Sequence, residues 1–255
     1  MRIFAVSDLH VDYPENLVWI MSLPALEYTD DLLIVAGDVS DDLELLARVL
    51  SSLRSKFRQV MFVPGNHELW VDRDGLDCSL EKFHAVMALC VEHGISSELS
   101  HFGDVSIVPL LSWYDYSFGE PDSYLRRAWR DFRACSWPAA LHNAAAVSAF
   151  FLEKNEQYLG TKNKTVISFS HFLPRIDLMP ARIPQQRRRV YPVLGSSKLG
   201  EQIKQLNPDI HVYGHSHVNR SVTLDQVHYL NNAFAYPREQ HISRKQLHCV
   251  FEDTA

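Results

Sequence analysis

Seven side chains that could bind metal ions follow five apolar runs of this sequence. They are Asp8 and His10 after IFAV, Asp38 after LLIVAG, Asn66 after VMFVPG, His171 after VISFS, and His215 and His217 after IHVYG. Carboxylates are rarely buried unless they are paired or bound to a metal, so core packing alone does not account for this recurrence. Carboxylate, amide and imidazole ligands without thiolate suit Mn, Fe or Zn. Together the segments predict one metal centre, although a single Asp-x-His or Gly-Asp pair would be weak evidence.

The elements that must position these side chains are short buried strands. An apolar run of four to eight residues bounded by Gly is typical of such a strand. Strands expected over residues 2–6, 32–36 and 59–63 alternate with helices expected over residues 15–26 and 41–55. This βαβαβ order predicts a parallel sheet with right-handed crossovers. In such sheets, ligands collect at the carboxyl ends of the strands, which is where the seven side chains lie.

The second half of the chain is richer in adjacent strands. Helices are expected over residues 80–93 and 141–159, and strands over residues 105–111, 165–169, 210–213, 221–224, 227–230 and 247–251. The pattern indicates an α/β fold in which two sheets pack face to face with helices outside. A chain of 255 residues can form one large domain, and we expect residues 1–255 to be a single domain.

Composition and charge argue against several classes of partner and location. The formal net charge of −6 gives no global attraction to nucleic acid or to an anionic membrane. No apolar run approaches the roughly 18 residues of a membrane span. The cysteines are too scattered for a disulfide framework and are expected to be free thiols in a reducing compartment: Cys78, Cys90, Cys135 and Cys249. A signal peptide is not expected because the first strand begins at Arg2, so the sequence favours the cytoplasm.

The order of the five segments resembles the calcineurin-like metallophosphoesterase superfamily. The matching pattern is Asp-x-His, Gly-Asp-x-x-Asp, Gly-Asn-His-Glu, His and Gly-His-x-His, running from Asp8 to His217. The resemblance implies a four-layer α/β/β/α sandwich of two mixed sheets flanked by helices. It also implies two divalent metal ions that share Asp38. One would be held by Asp8, His10, Asp38 and His217, and the other by Asp38, Asn66, His171 and His215.

The family pattern also implies a hydrolytic mechanism. A pair of divalent cations stabilises charge on a phosphoryl group and lowers the pKa of a bridging water, which attacks phosphorus as hydroxide. His67 resembles the histidine that gives a proton to the leaving group, and Asp41 matches the carboxylate that orients that histidine. Two alternatives stay open. Asp41 could serve only the first turn of a helix, and His67 could only support its own turn.

Departures from the family pattern reduce the number of substrate classes that the sequence favours. Serine/threonine protein phosphatases and diadenosine tetraphosphate hydrolases of the superfamily carry a phosphate-binding Arg followed by Gly where this sequence has Asp42 and Leu43. A metal-dependent phosphoesterase acting on phosphodiesters, small organic phosphates or nucleotides is therefore favoured over a phosphomonoesterase or protein phosphatase. Glu68 replaces the Asp that is commoner in the phosphodiesterases, which leaves the subfamily open. A non-catalytic scaffold like the retromer subunit is a third alternative, but the sequence keeps all seven ligands and His67.

An aromatic and arginine-rich insertion is expected at residues 112–138. Three of its arginines would share one face of a helix, namely Arg126, Arg130 and Arg133. The candidate substrate-binding residues are those that could contact phosphate, two from this insertion and two from a later proline-bounded loop: Arg126, Arg130, Arg187 and Arg188. The alternative is that these arginines form a solvated surface. The expected partner is a small phosphorylated substrate. The sequence shows no specific nucleic-acid footprint and does not determine the oligomeric state.

Overall fold

Two β-sheets form the centre of the protein, whose computed structural model describes residues 1–253. The strands are β1 (Arg2–Val6), β2 (Leu32–Val35), β3 (Gln59–Phe62), β4 (Ser100–Phe102), β5 (Val105–Pro109), β6 (Thr165–Phe169), β7 (Ile210–Tyr213), β8 (Arg220–Leu224), β9 (Val227–Asn231) and β10 (His248–Glu252). The first sheet has the order β10-β1-β2-β3, and the second has the order β4-β5-β6-β7-β9-β8. Both sheets are mixed, because β10, β4 and β8 pair antiparallel with their neighbours.

Residues 1–253 contain seven α-helices. The α-helices are α1 (Pro14–Met21), α2 (Leu43–Arg54), α3 (Ser79–Glu92), α4 (Ser123–Ala128), α5 (Asp131–Ala134), α6 (Ala144–Asn155) and α7 (Ser197–Leu206). In α2, the Asp42 side chain caps the first turn by accepting a hydrogen bond from the Leu45 amide at 2.8 Å. The buried residues of α2 recur at helical spacing and face the core: Leu46, Val49, Leu50 and Leu53.

The packing of sheets and helices gives four layers. A core between the two sheets contains Ile34 and Met61 from the first sheet and Ile107, Ile167 and Val212 from the second. The outer face of the first sheet packs against α1, α2 and α3, and that of the second packs against α6 and α7. All four residues of β2 are buried, as expected for a strand inside a covered parallel sheet. The predicted α/β/β/α sandwich is confirmed.

Several element boundaries differ from the sequence prediction. The helix α1 ends at Met21 rather than at residue 26, because Pro24 cannot continue a helix and restricts the residue before it. The helix expected over residues 141–159 is the shorter α6. It begins where the Asn143 side chain accepts a hydrogen bond from the Ala146 amide at 2.8 Å. The short edge strand β4 has no counterpart in the prediction.

The insertion does not contain the single arginine-bearing helix that the sequence predicts. The helix α4 ends at Ala128 and α5 begins at Asp131, and Trp129 between them is extended, with φ −76° and ψ 122°. The Trp129 indole donates a hydrogen bond to the Asp131 carboxylate at 2.7 Å, which stabilises this break. The prediction that the three arginines share one helical face is therefore wrong.

The structure also tests the predictions about membrane-spanning helices and about the cysteines. None of the helices in residues 1–253 is long and apolar enough to cross a membrane. All four cysteines are free, as the sequence predicts. Burial raises the pKa of the Cys90 thiol to about 12, so this thiol stays protonated and unreactive at neutral pH.

Candidate metal centre

The structure brings all seven predicted metal ligands together where the strands of both sheets end. The closest atoms that could bind a metal ion belong to different loops. His10 Nε2 and His217 Nε2 lie 3.0 Å apart, and His171 Nε2 and His215 Nδ1 lie 3.1 Å apart. Asp38 lies between the two pairs, because its Oδ1 is 3.4 Å from His171 Nε2 and its Oδ2 is 3.9 Å from His10 Nε2.

One half of the centre is a cluster of hydrogen-bond acceptors. His171 Nδ1 faces the Ala36 carbonyl oxygen at 2.9 Å, and His215 Nε2 faces the Val193 carbonyl oxygen at 2.9 Å, so these two nitrogens carry the ring protons. Burial lowers the pKa of both rings, which are therefore neutral at pH 7. Their other nitrogens present lone pairs to each other, and Asn66 Oδ1 lies 3.2 Å from one of them. Facing lone pairs repel each other, so the arrangement fits a bound cation.

The other half of the centre pairs histidine with carboxylates. His217 Nε2 lies 3.3 Å from Asp8 Oδ1, and His217 Nδ1 lies 2.7 Å from Glu239 Oε2. Burial disfavours the charged ring, but the carboxylates of Asp8 and Glu239 outweigh this and raise the pKa of His217 to about 9. The same negative field favours a divalent cation beside the ring. Glu239, which the sequence analysis missed, orients His217 as carboxylates do for metal-binding histidines.

Five of the seven candidate ligands hold a backbone conformation that L-residues rarely adopt. Their φ angles are 53° at Asp8, 42° at His10, 57° at Asp38, 67° at His215 and 55° at His217. Each such residue costs on the order of 1–3 kcal/mol and persists only where the surrounding structure enforces it. Strain of this kind concentrates at functional sites. The fold therefore holds these ligands in place at a cost in stability.

The turn after β3 leaves room for the ligands because it contains glycine. A Cβ atom at Gly65 would overlap the Asp38 carboxylate and would lie 2.7 Å from the His171 ring. The Asp38 carboxylate and the His171 ring are both buried and cannot move aside freely. A side chain at this position would therefore displace at least one ligand.

Glu68 connects the loop after β2 to the loop after β3. Its buried carboxylate accepts hydrogen bonds from the backbone amides of Asp38 at 2.9 Å, Val39 at 2.6 Å, Ser40 at 3.1 Å and Gly65 at 2.7 Å. Burial raises the pKa of Glu68 to about 7, although the four amides oppose this shift. The carboxylate fixes the backbone that carries the central ligand Asp38. The motif Gly-Asn-His-Glu contains Glu68, but nothing in the sequence indicates this role.

Asp131 links the insertion to the metal centre. Its buried carboxylate accepts hydrogen bonds from Asn66 Nδ2 at 2.9 Å, Trp70 Nε1 at 2.7 Å and Trp129 Nε1 at 2.7 Å. Because Asn66 Nδ2 donates this hydrogen bond, Asn66 Oδ1 points at Nε2 of His171. Asp131 is not among the site residues predicted from the sequence. The signal that could have identified it is a carboxylate beside tryptophan and arginine in the run WRDFR.

His67 lies beside the ligands and lines an open cleft. Its Nε2 is 3.8 Å from Asp38 Oδ2, and its backbone amide donates a hydrogen bond to Asp38 Oδ1 at 3.0 Å. The ring lies against Trp70 with 3.6 Å between the ring centroids. Burial, together with neighbouring histidine rings, lowers the pKa of His67 well below its usual value. The position suits a group that meets a substrate at the edge of the metal centre.

Asp41 does not contact His67 in the structure. Its carboxylate oxygens lie 3.3 Å from Arg73 Nε and 3.4 Å from a guanidinium nitrogen of Arg130. Within residues 1–253, no hydrogen bond or ion pair joins Asp41 to the His67 ring. The side chain that caps α2 belongs to Asp42, so Asp41 does not serve as the helix cap either. A role for Asp41 in orienting His67 stays a prediction that these contacts do not support.

A cleft of about 400 Å³ opens beside the metal centre. Besides the candidate ligands and their neighbours His67, Trp70 and Ser216, its lining comes from the insertion, from the 3-10 helix Gln185–Val193 with the residue after it, and from the C-terminal loop: Ala128, Trp129, Arg130, Asp131, Val190, Leu194, Tyr236, Glu239 and Ile242. Of the four candidate substrate-binding arginines, Arg130 lines the cleft, with its guanidinium 4.2 Å from the Trp70 ring centroid. Arg126, Arg187 and Arg188 lie outside the lining.

Comparison with known proteins agrees with this geometry. The family model of calcineurin-like phosphoesterases matches residues 1–219. The chain belongs to this family. The calcineurin-like phosphoesterases are metal-dependent hydrolases that use two divalent metal ions, and this phosphoesterase is an enzyme of that class. The alternative of a non-catalytic scaffold is therefore set aside.

Two comparisons match this phosphoesterase over nearly its whole length. It is 28% identical over 262 residues to the acyl-carrier-protein phosphodiesterase PptH of Mycobacterium tuberculosis. The alignment covers 93% of this chain and 78% of that protein. The crystal structure of phosphopantetheinyl hydrolase (PptH) from Mycobacterium tuberculosis matches with a TM-score of 0.85 and 26% identity, covering 99% of this chain and 96% of that one. The fold and the enzyme class predicted from the sequence are confirmed.

Proposed function

We propose that this phosphoesterase hydrolyses the phosphodiester that attaches phosphopantetheine to an acyl-carrier protein. The observation that carries the proposal is the match over 99% of the chain, with a TM-score of 0.85, to a phosphopantetheinyl hydrolase. In the reaction, water attacks phosphorus and the bond between phosphorus and the carrier oxygen breaks. The products are phosphopantetheine, as a phosphate monoester, and a carrier protein with a free hydroxyl group.

The seven converging side chains would hold the two metal ions of the family. We assign one ion to Asp8, His10, Asp38 and His217, and the other to Asp38, Asn66, His171 and His215. The facing lone pairs of the His171 and His215 rings support the assignment, because a cation relieves their repulsion. When bound, the ions polarise the phosphoryl group and make water nucleophilic near neutral pH. Asp38 lies between both sets of ring nitrogens, as a shared ligand requires.

His67 is the proposed proton donor to the leaving oxygen. It lines the cleft, and contact with Trp70 limits the orientations of its ring. Burial keeps the ring neutral in the free protein, whereas the negative charge of a bound phosphodiester raises its pKa. The imidazole can then give a proton to the carrier oxygen as the bond to phosphorus breaks.

The walls of the cleft favour a slender organic group joined to phosphate. Trp129, Val190, Leu194 and Ile242 supply apolar surface, while Arg130 supplies a positive charge. A pantetheine arm is a narrow chain of methyl, methylene and amide groups, which suits such a lining. On this proposal the substrate is a group linked to a protein, rather than the free small molecule that the sequence favours.

An assay with a carrier protein tests the proposal. Purified enzyme loaded with Mn²⁺ should convert a phosphopantetheinylated acyl-carrier protein to its apo form, measured by mass spectrometry of the intact carrier. The Asp38→Asn variant, which loses the shared charge, should be inactive and serves as the control. Hydrolysis of bis-p-nitrophenyl phosphate without any loss of phosphopantetheine from the carrier would refute the substrate and leave the enzyme class intact.

We also propose that residues 1–255 form one catalytic domain that works in the cytoplasm. The hydrogen bond from Asn66 to Asp131 supports a single domain, because it ties the insertion to the metal centre. The four free thiols support a reducing compartment. Immunolocalisation of the tagged protein, or fractionation of cells that express it, tests the location.

A further inference from the structure

Eight arginines lie on two segments that border the mouth of the cleft. Four belong to the insertion and four to the segment that contains the 3-10 helix Gln185–Val193: Arg126, Arg127, Arg130, Arg133, Arg182, Arg187, Arg188 and Arg189. We call this set the arginine rim. Seven of its members are exposed, and Arg188 is half-buried.

The two segments of the arginine rim contact each other. Arg189 Nε lies 3.0 Å from Asp122 Oδ2, and the Arg189 guanidinium lies 5.0 Å from the Tyr124 ring centroid. The same two segments supply Trp129 and Val190 to the lining of the cleft. The rim is therefore one surface next to the metal centre rather than two isolated loops.

The arginine rim has a charge opposite to that of the whole chain. The chain carries 25 basic and 31 acidic residues. Residues 119–133 and 181–193 together hold eight of the basic residues but only three acidic ones, Glu120, Asp122 and Asp131. Asp131 is buried, Asp122 is paired with Arg189, and Asp41 lies 3.4 Å from Arg130, so the net positive charge of the rim comes from its other six arginines. A local positive surface on a negative protein directs an anionic partner to one place.

We propose that the arginine rim docks an acidic face of the carrier protein while its phosphodiester enters the cleft, an inference that rests on the proposed function. A free phosphorylated metabolite would engage Arg130, which lines the cleft, and would leave the other seven arginines unused. A protein substrate also covers the surface outside the cleft and can contact all of them. Tyr124, 55% exposed beside Arg189, adds an aromatic contact of the kind enriched at protein interfaces.

Charge reversal on both segments tests the docking surface. The double variant Arg127→Glu/Arg182→Glu changes one exposed arginine on each segment, and neither side chain makes a hydrogen bond or ion pair within residues 1–253. The control double variant Arg48→Glu/Lys162→Glu makes the same change of charge at exposed positions on α2 and before β6. Comparing the two pairs separates the effect of the rim from the effect of net charge.

Kinetics with two substrates give the readout. With phosphopantetheinylated acyl-carrier protein, the rim variant should lower kcat/KM by about tenfold or more, mainly through KM, and should weaken the dependence of kcat/KM on salt. With bis-p-nitrophenyl phosphate, both double variants should match the wild type, because Arg127 and Arg182 lie outside the lining of the cleft that this small diester enters. The control variant should match the wild type on the carrier protein as well.

Four results would overturn the inference. Wild-type kinetics of the rim variant on the carrier protein, or an equal loss in the control variant, would remove the docking role and leave the proposed function standing. A loss of activity of the rim variant on bis-p-nitrophenyl phosphate would show that the substitutions act through the metal centre instead. Wild-type enzyme that cleaves the small diester but not the carrier protein would overturn both the proposed function and the rim.

Discussion

Replacing Asp131 by Asn should weaken metal binding without changing a metal ligand. Asp131 Oδ1 accepts hydrogen bonds from Asn66 Nδ2 and Trp70 Nε1, and Asp131 Oδ2 accepts one from Trp129 Nε1. Asparagine has nearly the same size but only one acceptor oxygen. At least one of the three donors must therefore face an N–H group in the variant.

The expected size of the effect follows from these three bonds. An asparagine oxygen at the Oδ1 position leaves Trp129 without an acceptor, and an oxygen at the Oδ2 position leaves both Asn66 and Trp70 without one. A hydrogen bond to a charged group contributes about 1.5–3 kcal/mol, so we expect the free energy of unfolding to fall by about 2–3 kcal/mol. In either orientation Asn66 loses its charged acceptor, because asparagine is neutral, and loss of a partner that orients a metal ligand lowers metal affinity or activity by about 10–100-fold. The Mn²⁺ activation constant should rise by that factor, while kcat at saturating Mn²⁺ falls much less.

Two measurements check this prediction. Hydrolysis of bis-p-nitrophenyl phosphate by chelator-treated protein is titrated with Mn²⁺, and urea unfolding gives the stability. Asp122→Asn is the matched control, because it makes the same substitution at an exposed helix cap of the same insertion, where asparagine caps as well as aspartate. An unchanged Mn²⁺ activation constant in Asp131→Asn would refute the conclusion that the insertion positions Asn66.

Three further predictions test other parts of the structure. His67→Ala should keep its metal content by elemental analysis and lower kcat by about 10²–10⁴, whereas Asp41→Asn should change kcat far less because Asp41 contacts arginines; equal losses would restore the pairing implied by the family. Glu68→Gln should leave two buried amides without an acceptor and lower the urea unfolding free energy by about 3–4 kcal/mol; an unchanged value would mean that other contacts hold the loops. Burial lowers the pKa of His211 to about 3, so below about pH 6.5 the unfolded chain binds a proton that the folded state excludes. Between pH 7 and pH 5, urea unfolding should show the wild type losing about 2 kcal/mol more stability than His211→Asn; parallel pH profiles would contradict this.

The strands and the convergence of the seven candidate ligands could be predicted because both signals are local. An apolar run such as LLIV forms a buried strand wherever it lies in the sheet, and the residue that follows it must appear at the carboxyl end. The order of the five runs then sufficed to bring Asp8 and His217 together, although they are far apart in the sequence. The resemblance added the division of the ligands between two ions, which the apolar runs alone do not provide.

The supporting residues could not be predicted because their roles depend on the path of the whole chain. Glu239 contacts a ligand 22 positions away, and Asp131 contacts one 65 positions away. Glu239 has no local pattern that distinguishes it from a surface carboxylate, and Asp131 has only its place in the run WRDFR. The break at Trp129 has the same origin, since the hydrogen bond of its indole to Asp131 competes with a continuous helix. For Asp41 the motif predicts His67 as a partner, but its carboxylate lies beside two arginines instead, so the role of Asp41 stays a prediction.

The positive φ angles of Asp8, His10, Asp38, His215 and His217 set catalysis against thermostability in this fold. Glycine at one of these positions would release strain on the order of 1–3 kcal/mol, against the roughly 0.5–1 kcal/mol that its extra freedom costs. A population of variants selected for heat resistance alone would therefore drift toward inactive enzymes that have lost a ligand. Screens for hardier forms of this protein must select for turnover at the same time.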